Sequence, residues 1–375
     1  MKIVLTHDWL RVNAGSEKVI QSLVSVFQAE IVGLYTLFNK LPVPDQKQIL
    51  QGIQVHTSFL QWIPSITNAY KFLMPVFPWI VGHTQLPDAD LYLSSSHAVA
   101  KGYRKKKGSV LICYCHTPMR YAWYLKEDYL NEMHGFKKWI ANQIIRHIRI
   151  WDYENSKQVD YFIANSMHIQ QQILKTYQRV ADVIYPPVQT DKFLLNPHPR
   201  QSFYLAPGRF VSFKKIDLII EAFKMRPQLK LVLIGDGYDS DKCKKMLANT
   251  PNIIWLGYQH DDELILYMQQ AKACVFASKE DFGIMCVEAQ STGTEVIALR
   301  YGGHLETVIE GETGYFFDHQ DANSLLTAID QMESAPLTDH DLIRSNALRF
   351  SESIFQQEIE DFVKQKMQAH VQKVL

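Results

Sequence analysis

Short apolar runs alternate with segments of helical period from one end of the chain to the other. In the first half the apolar runs predict buried strands over residues 2–6, 31–35, 91–94, 110–115 and 161–165. The helical period predicts helices over residues 15–28, 137–156 and 166–177. Strands that are apolar throughout and alternate with helices are typical of parallel sheets covered on both faces. The first half therefore predicts an α/β domain.

A second series of the same kind follows. Its predicted strands cover residues 203–206, 231–235, 253–257, 274–278 and 295–299, and its predicted helices cover 215–223, 239–247, 261–271, 284–293 and 322–332. Two prolines in Tyr185-Pro-Pro-Val188 end the first series. We predict Rossmann-like domains over residues 1–187 and 188–350, and a helix over 351–375 that can cross back to the first domain. Because such sheets bind ligands at their carboxyl edges, the expected site is a cleft between facing sheets.

Composition narrows the class of protein. The 375 residues are 47% hydrophobic and 21% charged, with 39 Lys and Arg against 39 Asp and Glu. These values exclude collagen, a coiled coil and a disordered chain, and the zero net charge argues against a nucleic-acid binder. Residues 1–187 hold 20 basic and 13 acidic side chains, whereas residues 188–375 hold 19 and 26. This asymmetry suggests different partners for the two domains, and random drift of surface charge is the alternative.

The cysteines and the start of the chain indicate the cellular compartment. Of the five cysteines only Cys113 and Cys115 are close in sequence, which is neither a zinc motif nor a disulfide framework. The chain begins directly with a buried-strand pattern, without a basic leader. We expect a cytoplasmic, reduced protein.

Polar residues at the ends of second-domain strands are the candidate chemistry. Glu280 follows the apolar run 274–278, Gly283 permits close backbone approach, and a helix begins near Ile284. The free N–H groups of that helix suit a phosphate, and Glu288 about one turn further suits a ribose diol. Two glutamates eight residues apart also occur by chance on protein surfaces.

Arg209 and Lys214 follow the first strand of the second domain. Fixed cations near helix N-termini can clamp a diphosphate and stabilise it as a leaving group, although solvated loop residues are an equally good interpretation of this cluster alone. No G-x-G-x-x-G, P-loop or G-x-S-x-G occurs, since Gly235-Asp-Gly237 is too short and Gly15 is a single glycine at its turn. NAD binding is therefore disfavoured.

Together these motifs resemble the retaining glycosyltransferases of family 4, which have the two-domain GT-B fold. The resemblance covers nearly the whole chain. It is carried by Thr6-His-Asp-Trp9, Gly15-Ser-Glu-Lys18, Ser94-Ser-Ser-His97, His116-Thr-Pro-Met-Arg-Tyr-Ala-Trp123, Ala164-Asn-Ser166, Tyr185-Pro-Pro-Val188, Gly208 to Lys214, Glu280 to Glu288 and Gly302-Gly-His-Leu-Glu-Thr307.

The resemblance implies roles for individual residues. Those that match catalytic positions of the family are His116, Arg209, Lys214 and Glu280. Those that match its donor contacts are Gly15, Arg209, Lys214, Glu280, Phe282, Gly283, Ile284 and Glu288. Within these sets the two cations contact the diphosphate, Glu288 binds the ribose, and His116 lies beside the donor sugar and the acceptor. The sequence departs from the family at Ala14-Gly15, where the usual pattern has two adjacent glycines.

The implied reaction moves a hexose from a nucleotide diphosphate sugar to a hydroxyl with retention of configuration. Mannose is the first choice of hexose and GDP-mannose the first choice of donor, and the acceptor is a saccharide or a lipid-linked saccharide in surface glycan biosynthesis. Neither a metal nor a cofactor is expected, because Arg209, Lys214 and helix N-termini supply positive charge. Two alternatives are a sugar-nucleotide epimerase of the same fold and a non-catalytic sugar-nucleotide-binding scaffold subunit.

The acceptor side is less well marked. Asp8, Arg120 and Trp123 are candidates, each equally suited to a structural role, and His7 and His97 are guesses. Residues 46–86 carry two lysines, no acid and several aromatic side chains, and a basic run follows at 101–107. An apolar face beside a basic cluster suits the surface of an anionic membrane, here its inner face. A buried helical subdomain next to a solvated loop is the alternative.

Overall fold

The computed structural model describes residues 1–124, 126, 130, 134–195 and 199–374. By its internal contacts the chain divides into two units. The first unit contains residues 1–187 and 355–375, and the second contains residues 188–354. The first boundary lies directly after the double proline at 186–187.

The first unit contains a seven-stranded parallel sheet in the described residues. Its strands are β1 Ile3–His7, β2 Ile31–Thr36, β3 Val55–Thr57, β4 Leu91–Ser96, β5 Val110–Cys115, β6 Tyr161–Ala164 and β7 Ala181–Val183. The strand order is β3-β2-β1-β4-β5-β6-β7. Its helices are α1 Gly15–Phe27, α2 Val43–Leu50, α3 Ile66–Leu73, α4 Phe77–His83, α5 Gly135–Ser156 and α6 Met167–Tyr177. Short 3₁₀ turns occur at Phe59–Trp62, Met74–Val76 and Ala100–Gly102.

The second unit contains a six-stranded parallel sheet in the described residues. Its strands are β8 Tyr204–Pro207, β9 Leu231–Ile234, β10 Ile253–Trp255, β11 Ala273–Phe276, β12 Glu295–Leu299 and β13 Gly314–Phe317. The strand order is β10-β9-β8-β11-β12-β13. Its helices are α7 Ile216–Lys224, α8 Ser240–Met246, α9 Asp261–Gln270, α10 Ile284–Ser291, α11 His304–Thr307, α12 Ala322–Ser334 and α13 His340–Leu348, and Ser212–Lys214 forms a 3₁₀ turn.

Burial explains why these segments form a sheet with helices on both faces. Every residue of β5, β11 and β12 is buried. Because both faces of a central parallel strand are covered, its side chains are apolar without alternation. Helix α1 contributes the matching stripe, in which Val19, Leu23 and Phe27 are buried at helical spacing. The predicted α/β class with two parallel sheets is confirmed.

The last helix, α14 Glu352–Val374, belongs to the first unit from residue 355 onward. Phe355, Ile359 and Val363 are buried in the same apolar cluster as strands β1 and β4. The ring of Phe355 lies 5.8 Å from that of Tyr114 in β5. The terminal helix therefore completes one face of the first sheet. None of the helices in the described part of the chain has both the length and the hydropathy that crossing a bilayer requires.

Candidate functional site

Lys214 and Glu280 form an ion pair at the carboxyl edge of the second sheet. Lys214 ends the 3₁₀ turn after β8, and Glu280 lies in the loop after β11, the neighbouring strand. The distance from Lys214 Nζ to Glu280 Oε1 is 2.5 Å, and Ser278 Oγ donates to the same oxygen at 2.6 Å. The lysine and glutamate side chains are only 20% and 14% exposed. The structure thus brings together two of the predicted catalytic residues.

The protonation state of Glu280 follows from these contacts. Burial by itself would raise the pKa of this carboxyl group. The charges of Lys214 and then of His304, together with the two hydrogen bonds, outweigh burial and lower the pKa to about 2. Glu280 is therefore an ionised hydrogen-bond acceptor at neutral pH, and not a general acid.

A pair of glycines holds the loop that carries Glu280. Gly303 N donates to Glu280 O at 3.0 Å, and a Cβ atom on Gly303 would lie 2.2 Å from Phe282 Cα. Only a glycine permits this approach, because that distance is far inside van der Waals contact. Gly283 has φ of +90° and caps α10, whose first turn leaves N–H groups without helical partners. Predicted donor residues Phe282, Gly283 and Ile284 thus lie at one helix N-terminus.

His304 lies at this site, although its sequence position predicts no role of its own. Its side chain is fully buried, and Nδ1 lies 3.0 Å from Leu299 O, to which it donates. Nε2 then carries a lone pair, and this buried atom has no hydrogen-bond partner in the described part of the chain. A Cβ atom on Gly283 would lie 3.2 Å from this Nε2. The only sequence signal was its place in the motif Gly302 to Thr307.

Close contacts between glycine turns position the cation loop. A Cβ atom on Gly235 would lie 1.8 Å from Gly208 O, and one on Gly237 would lie 2.4 Å from Phe210 O. The turn after β9 therefore packs directly against the loop from Gly208 to Lys214. Gly235-Asp-Gly237, too short to bind a dinucleotide, supports the loop that carries the two predicted cations.

Two other predicted donor residues, Glu288 and Arg209, lie in this unit. Glu288 is buried in α10. Arg209 is exposed in the loop after β8, and its described contacts do not link it to Lys214 or Glu280. Their roles in ribose and diphosphate binding remain predictions.

In the first unit, three histidines lie at the carboxyl edge of neighbouring strands. His116 directly follows β5 and is half-buried, and its Nε2 lies 2.8 Å from Ser95 Oγ. The same hydroxyl lies 3.2 Å from Nδ1 of the buried His7. The ring of His97 lies 6.0 Å from that of His7 and 6.3 Å from that of His116. Burial lowers the pKa of all three histidines, so they are neutral near pH 7.

Asp8 requires a correction to its predicted role on the acceptor side. Its carboxylate is fully buried and accepts hydrogen bonds from four successive backbone N–H groups, those of residues 97 to 100, at 2.5–3.0 Å. His97 Nδ1 lies 3.1 Å from the same group. A carboxylate enclosed in this way cannot contact an acceptor. Asp8 instead fixes the loop that carries His97.

We expect Asp8→Asn to lower the free energy of unfolding by about 2 kcal/mol, because an amide NH₂ would replace an acceptor facing two N–H donors. Burial raises the pKa of Asp8, but His97, His7 and the N–H groups outweigh burial and lower it. The difference in the free energy of unfolding between wild type and Asp8→Asn should therefore be largest above the usual pKa of about 4, and it should shrink as the pH falls below that value. Urea unfolding between neutral and acid pH measures this. Asp88→Asn is the control, since that side chain is 91% exposed. An equal loss in both variants would contradict the assignment.

Trp123 and Arg120, the other predicted acceptor-side residues, differ in their surroundings. Trp123 Nε1 donates to Asp152 Oδ2 at 2.8 Å, and the guanidinium carbon of Arg149 lies 4.4 Å from a Trp123 ring centre. The polar atom of Trp123 therefore points into the first unit. Arg120 is half-buried in the loop after β5. The acceptor role of Arg120 remains a prediction.

Gly15 begins α1, directly after Ala14, which makes no side-chain cap. Glu17 in the first turn of α1 is buried, and burial raises its pKa although the charge of His7 opposes the shift. From the sequence, Glu17 has no predicted role beyond its place in the motif Gly15 to Lys18. The predicted contact of Gly15 with a diphosphate remains a prediction.

Comparison with known proteins agrees with this architecture. Residues 188–349 match the family model of glycosyl transferases group 1. An uncharacterised glycosyltransferase of Methanocaldococcus jannaschii is 31% identical over 196 residues, which cover 52% of this chain and 55% of that protein. The chain spans about half the length, or less, of the first curated relatives that it matches.

Solved structures resemble nearly the whole chain. The lipopolysaccharide outer core galactosyltransferase WaaB, in its apo form, is 18% identical with a TM-score of 0.68, covering 98% of this chain and 100% of WaaB. Anabaena HepE in complex with UDP is 17% identical with a TM-score of 0.70, covering 97% of this chain and 100% of HepE. The chain therefore has the GT-B fold, and its residues 188–349 match the sequence model of glycosyl transferases group 1.

Proposed function

We propose that the protein is a retaining, metal-independent glycosyltransferase that moves a hexose from a nucleotide diphosphate sugar to a hydroxyl group. The observation that carries the proposal is the buried Lys214–Glu280 pair beside Gly283 at the N-terminus of α10, within the part of the chain that matches the family. A cation, a fixed anion and unpaired helix N–H groups at one sheet edge suit a ligand with both phosphates and sugar hydroxyls.

Each group has a distinct part in this proposal. The helix N–H groups and Lys214 bind the diphosphate and stabilise the negative charge that develops as it leaves. Glu280, held ionised, accepts hydrogen bonds from hydroxyls of the transferred sugar. Glu288 accepts them from the ribose, and Arg209 adds a second cation for the diphosphate.

The transfer step depends on positioning and on the leaving group. With retention, the acceptor hydroxyl attacks the anomeric carbon on the face from which the diphosphate departs, and the departing phosphate oxygen takes its proton. Two carboxylates flanking the bond, as in a glycoside hydrolase, are not required. We assign His116 in the first unit to the transfer step, so that His116→Ala should slow transfer and leave nucleotide binding intact.

The donor and acceptor are proposed at the level of class. GDP-mannose is the first candidate donor, by the resemblance to mannosyltransferases of family 4. A UDP-sugar is the competing candidate because HepE binds UDP. The acceptor is a saccharide or lipid-linked saccharide of a surface glycan, met at the cytoplasmic face of a membrane. The sugar-nucleotide epimerase is not favoured, since the matched family and WaaB are both named for glycosyl transfer.

A thermal-shift panel of GDP, UDP and ADP with their sugar conjugates tests the donor site. A ligand that binds only the folded state at about 100 times its Kd adds about 2.7 kcal/mol to the free energy of unfolding, which raises Tm by several degrees. We expect this shift with one nucleotide family only. Glu288→Ala should weaken its binding by on the order of tenfold or more, because a charged acceptor is lost.

Glu263→Ala is the matched control, since Glu263 is exposed on α9 of the same unit. It should bind the nucleotide as the wild type does. Absence of a shift with every nucleotide, in protein that melts cooperatively, would overturn the proposal. Equal weakening in both variants would remove Glu288 from the site.

A further inference from the structure

Exposed aromatic side chains are concentrated in one stretch of the first unit's sequence. All Phe and Trp side chains that are more than half exposed in the described part of the chain lie between residues 59 and 139. They are Phe59, Trp62, Phe72, Trp79, Phe136 and Trp139. Trp62 and Phe72 are 84% and 86% exposed. Large aromatic rings exposed to this degree leave apolar area in water that a partner can cover.

The six rings belong to elements that pack together. Residues of α3, α4 and α5 contribute to one apolar cluster, which includes Ile66, Phe77 and Ile148. A Cβ atom on Gly102, in the 3₁₀ turn after β4, would meet both Trp151 of α5 and Val81 of α4. The end of α5 that holds Trp151 therefore packs beside α4, and α3, α4 and α5 all border the same apolar cluster.

The two sequence segments that carry these rings contain basic side chains but no acidic ones. Residues 59–83 contain no acidic side chain, and neither do residues 135–151. At the start of α5 the exposed rings of Phe136 and Trp139 stack 5.7 Å apart, on either side of Lys137 and Lys138. Arg146 is exposed two turns further along the same helix. Aromatic and basic residues without acids fit a surface that offers both apolar depth and negative charge.

We propose that this aromatic–basic surface, formed by Phe59, Trp62, Phe72, Trp79, Phe136, Lys137, Lys138 and Trp139, docks on the surface of an anionic lipid bilayer. Trp and Phe enter the boundary between head groups and acyl chains, while the lysines pair with anionic head groups. Docking would hold the enzyme where a lipid-linked acceptor is found. That purpose rests on the proposed function, but the docking itself does not require catalysis.

Cosedimentation with vesicles tests the surface. The folded chain should bind vesicles of equal parts phosphatidylcholine and phosphatidylglycerol, bind pure phosphatidylcholine weakly, and be released as salt is raised. Phe136→Ser/Trp139→Ser should weaken binding to the anionic vesicles by on the order of tenfold, because two rings no longer enter the bilayer boundary. Lys137→Glu/Lys138→Glu should weaken it by roughly 25-fold or more, since each lysine near the surface contributes about fivefold. The charge variant should also lose most of the salt dependence.

Tyr238→Ser/Tyr258→Ser is the matched control, because both tyrosines are highly exposed but lie in the second unit. It should bind vesicles as the wild type does. The thermal shift with nucleotide is measured for every variant. It reports on the proposed donor site alone, so failure of vesicle binding can be told apart from failure of the proposed function. Failure of the folded wild type to bind anionic vesicles would overturn the docking surface, as would equal loss in the control. Concentration-dependent dimerisation without lipid, abolished by Phe136→Ser/Trp139→Ser, would assign the surface to a second copy instead.

Discussion

Lys214→Met should reduce kcat/KM by on the order of 10²–10³, the usual effect of removing one group that stabilises developing negative charge. The variant loses the cation proposed to hold the diphosphate, and it leaves Glu280 mostly buried without its partner. Release of nucleoside diphosphate, from the donor found by the thermal-shift panel, measures the change. Because the interaction grows as the diphosphate leaves, kcat should fall more than KM rises.

The same substitution changes the pH dependence. In the wild type the pKa of Glu280 is about 2, below its ordinary value of 4.5. The ionised carboxylate therefore stabilises the fold fully above about pH 4.5, and this stabilisation is lost only as the pH falls towards 2. Without the lysine, burial raises that pKa again. The variant should therefore lose activity and stability at a higher pH than the wild type.

Two further variants separate charge from structure. Lys214→Arg keeps the cation and should retain more activity than Lys214→Met. Lys242→Met removes a lysine that also pairs with an acid, Asp217 at 2.6 Å, but whose side chain is 60% exposed. It should leave kcat/KM unchanged. If Lys214→Met melts as the wild type does and keeps its activity, the ion pair is not part of the site.

The sequence predicts the central strands well because burial on both faces leaves a continuous apolar signal. Strands β5 and β12 have the predicted bounds, 110–115 and 295–299. Strands β3, β7 and β13 were not predicted, and all three lie at sheet edges. They have three or four residues each, and an edge strand is covered less completely. Short length and partial cover therefore weaken the strand signal, but they do not always hide it, since β10 is also an edge strand of three residues and was predicted over 253–257.

The site was predicted at the level of residues but not of contacts. Lys214 and Glu280 could be selected because each follows a strand of the second sheet. Their pairing depends on the loop contact between Gly303 and Glu280, which joins residues 23 positions apart and has no sequence signal of its own. For Asp8 the sequence position was correct but the predicted role was wrong. A carboxylate after a strand has the same pattern whether it faces solvent or, as here, four buried N–H groups.

Lys101→Met should be the most destabilising of the substitutions considered, by about 3–5 kcal/mol, the usual cost of removing one partner from a buried ion pair. Lys101 is 1% exposed and pairs with Asp152, which is fully buried and also accepts hydrogen bonds from Trp123 Nε1 and Tyr177 OH at 2.8 and 2.7 Å. For a unit of this size the Tm should fall by on the order of 10 °C. Calorimetry measures the loss.

The pH range and a double substitution identify the cause. Burial lowers the pKa of Lys101, but Asp152 outweighs burial and raises it above 10.5. The charged lysine therefore stabilises the fold at every pH below its ordinary pKa of 10.5. The loss in the free energy of unfolding caused by Lys101→Met should accordingly be the same from pH 6 to pH 9. Lys101→Met/Asp152→Asn should be more stable than the sum of the two single losses predicts, because the unpaired charge is gone. Lys157→Met, which breaks an exposed pair with Glu154 at the end of α5, should melt as the wild type does.

The Lys101–Asp152 pair also bears on activity through the loop that Asp8 holds. Lys101 directly follows residues 97–100, whose N–H groups donate to Asp8, and lies in the 3₁₀ turn that begins at Ala100. Its Nζ donates to Ala98 O at 2.9 Å. Asp152 lies on α5, so the ion pair anchors the His97 loop to that helix. At a temperature where Lys101→Met is folded, any loss of activity should therefore be a lower rate of sugar transfer. The rise in Tm caused by nucleotide should be the same as in the wild type. A reduced nucleotide shift would contradict this, because the proposed donor groups lie in the second unit.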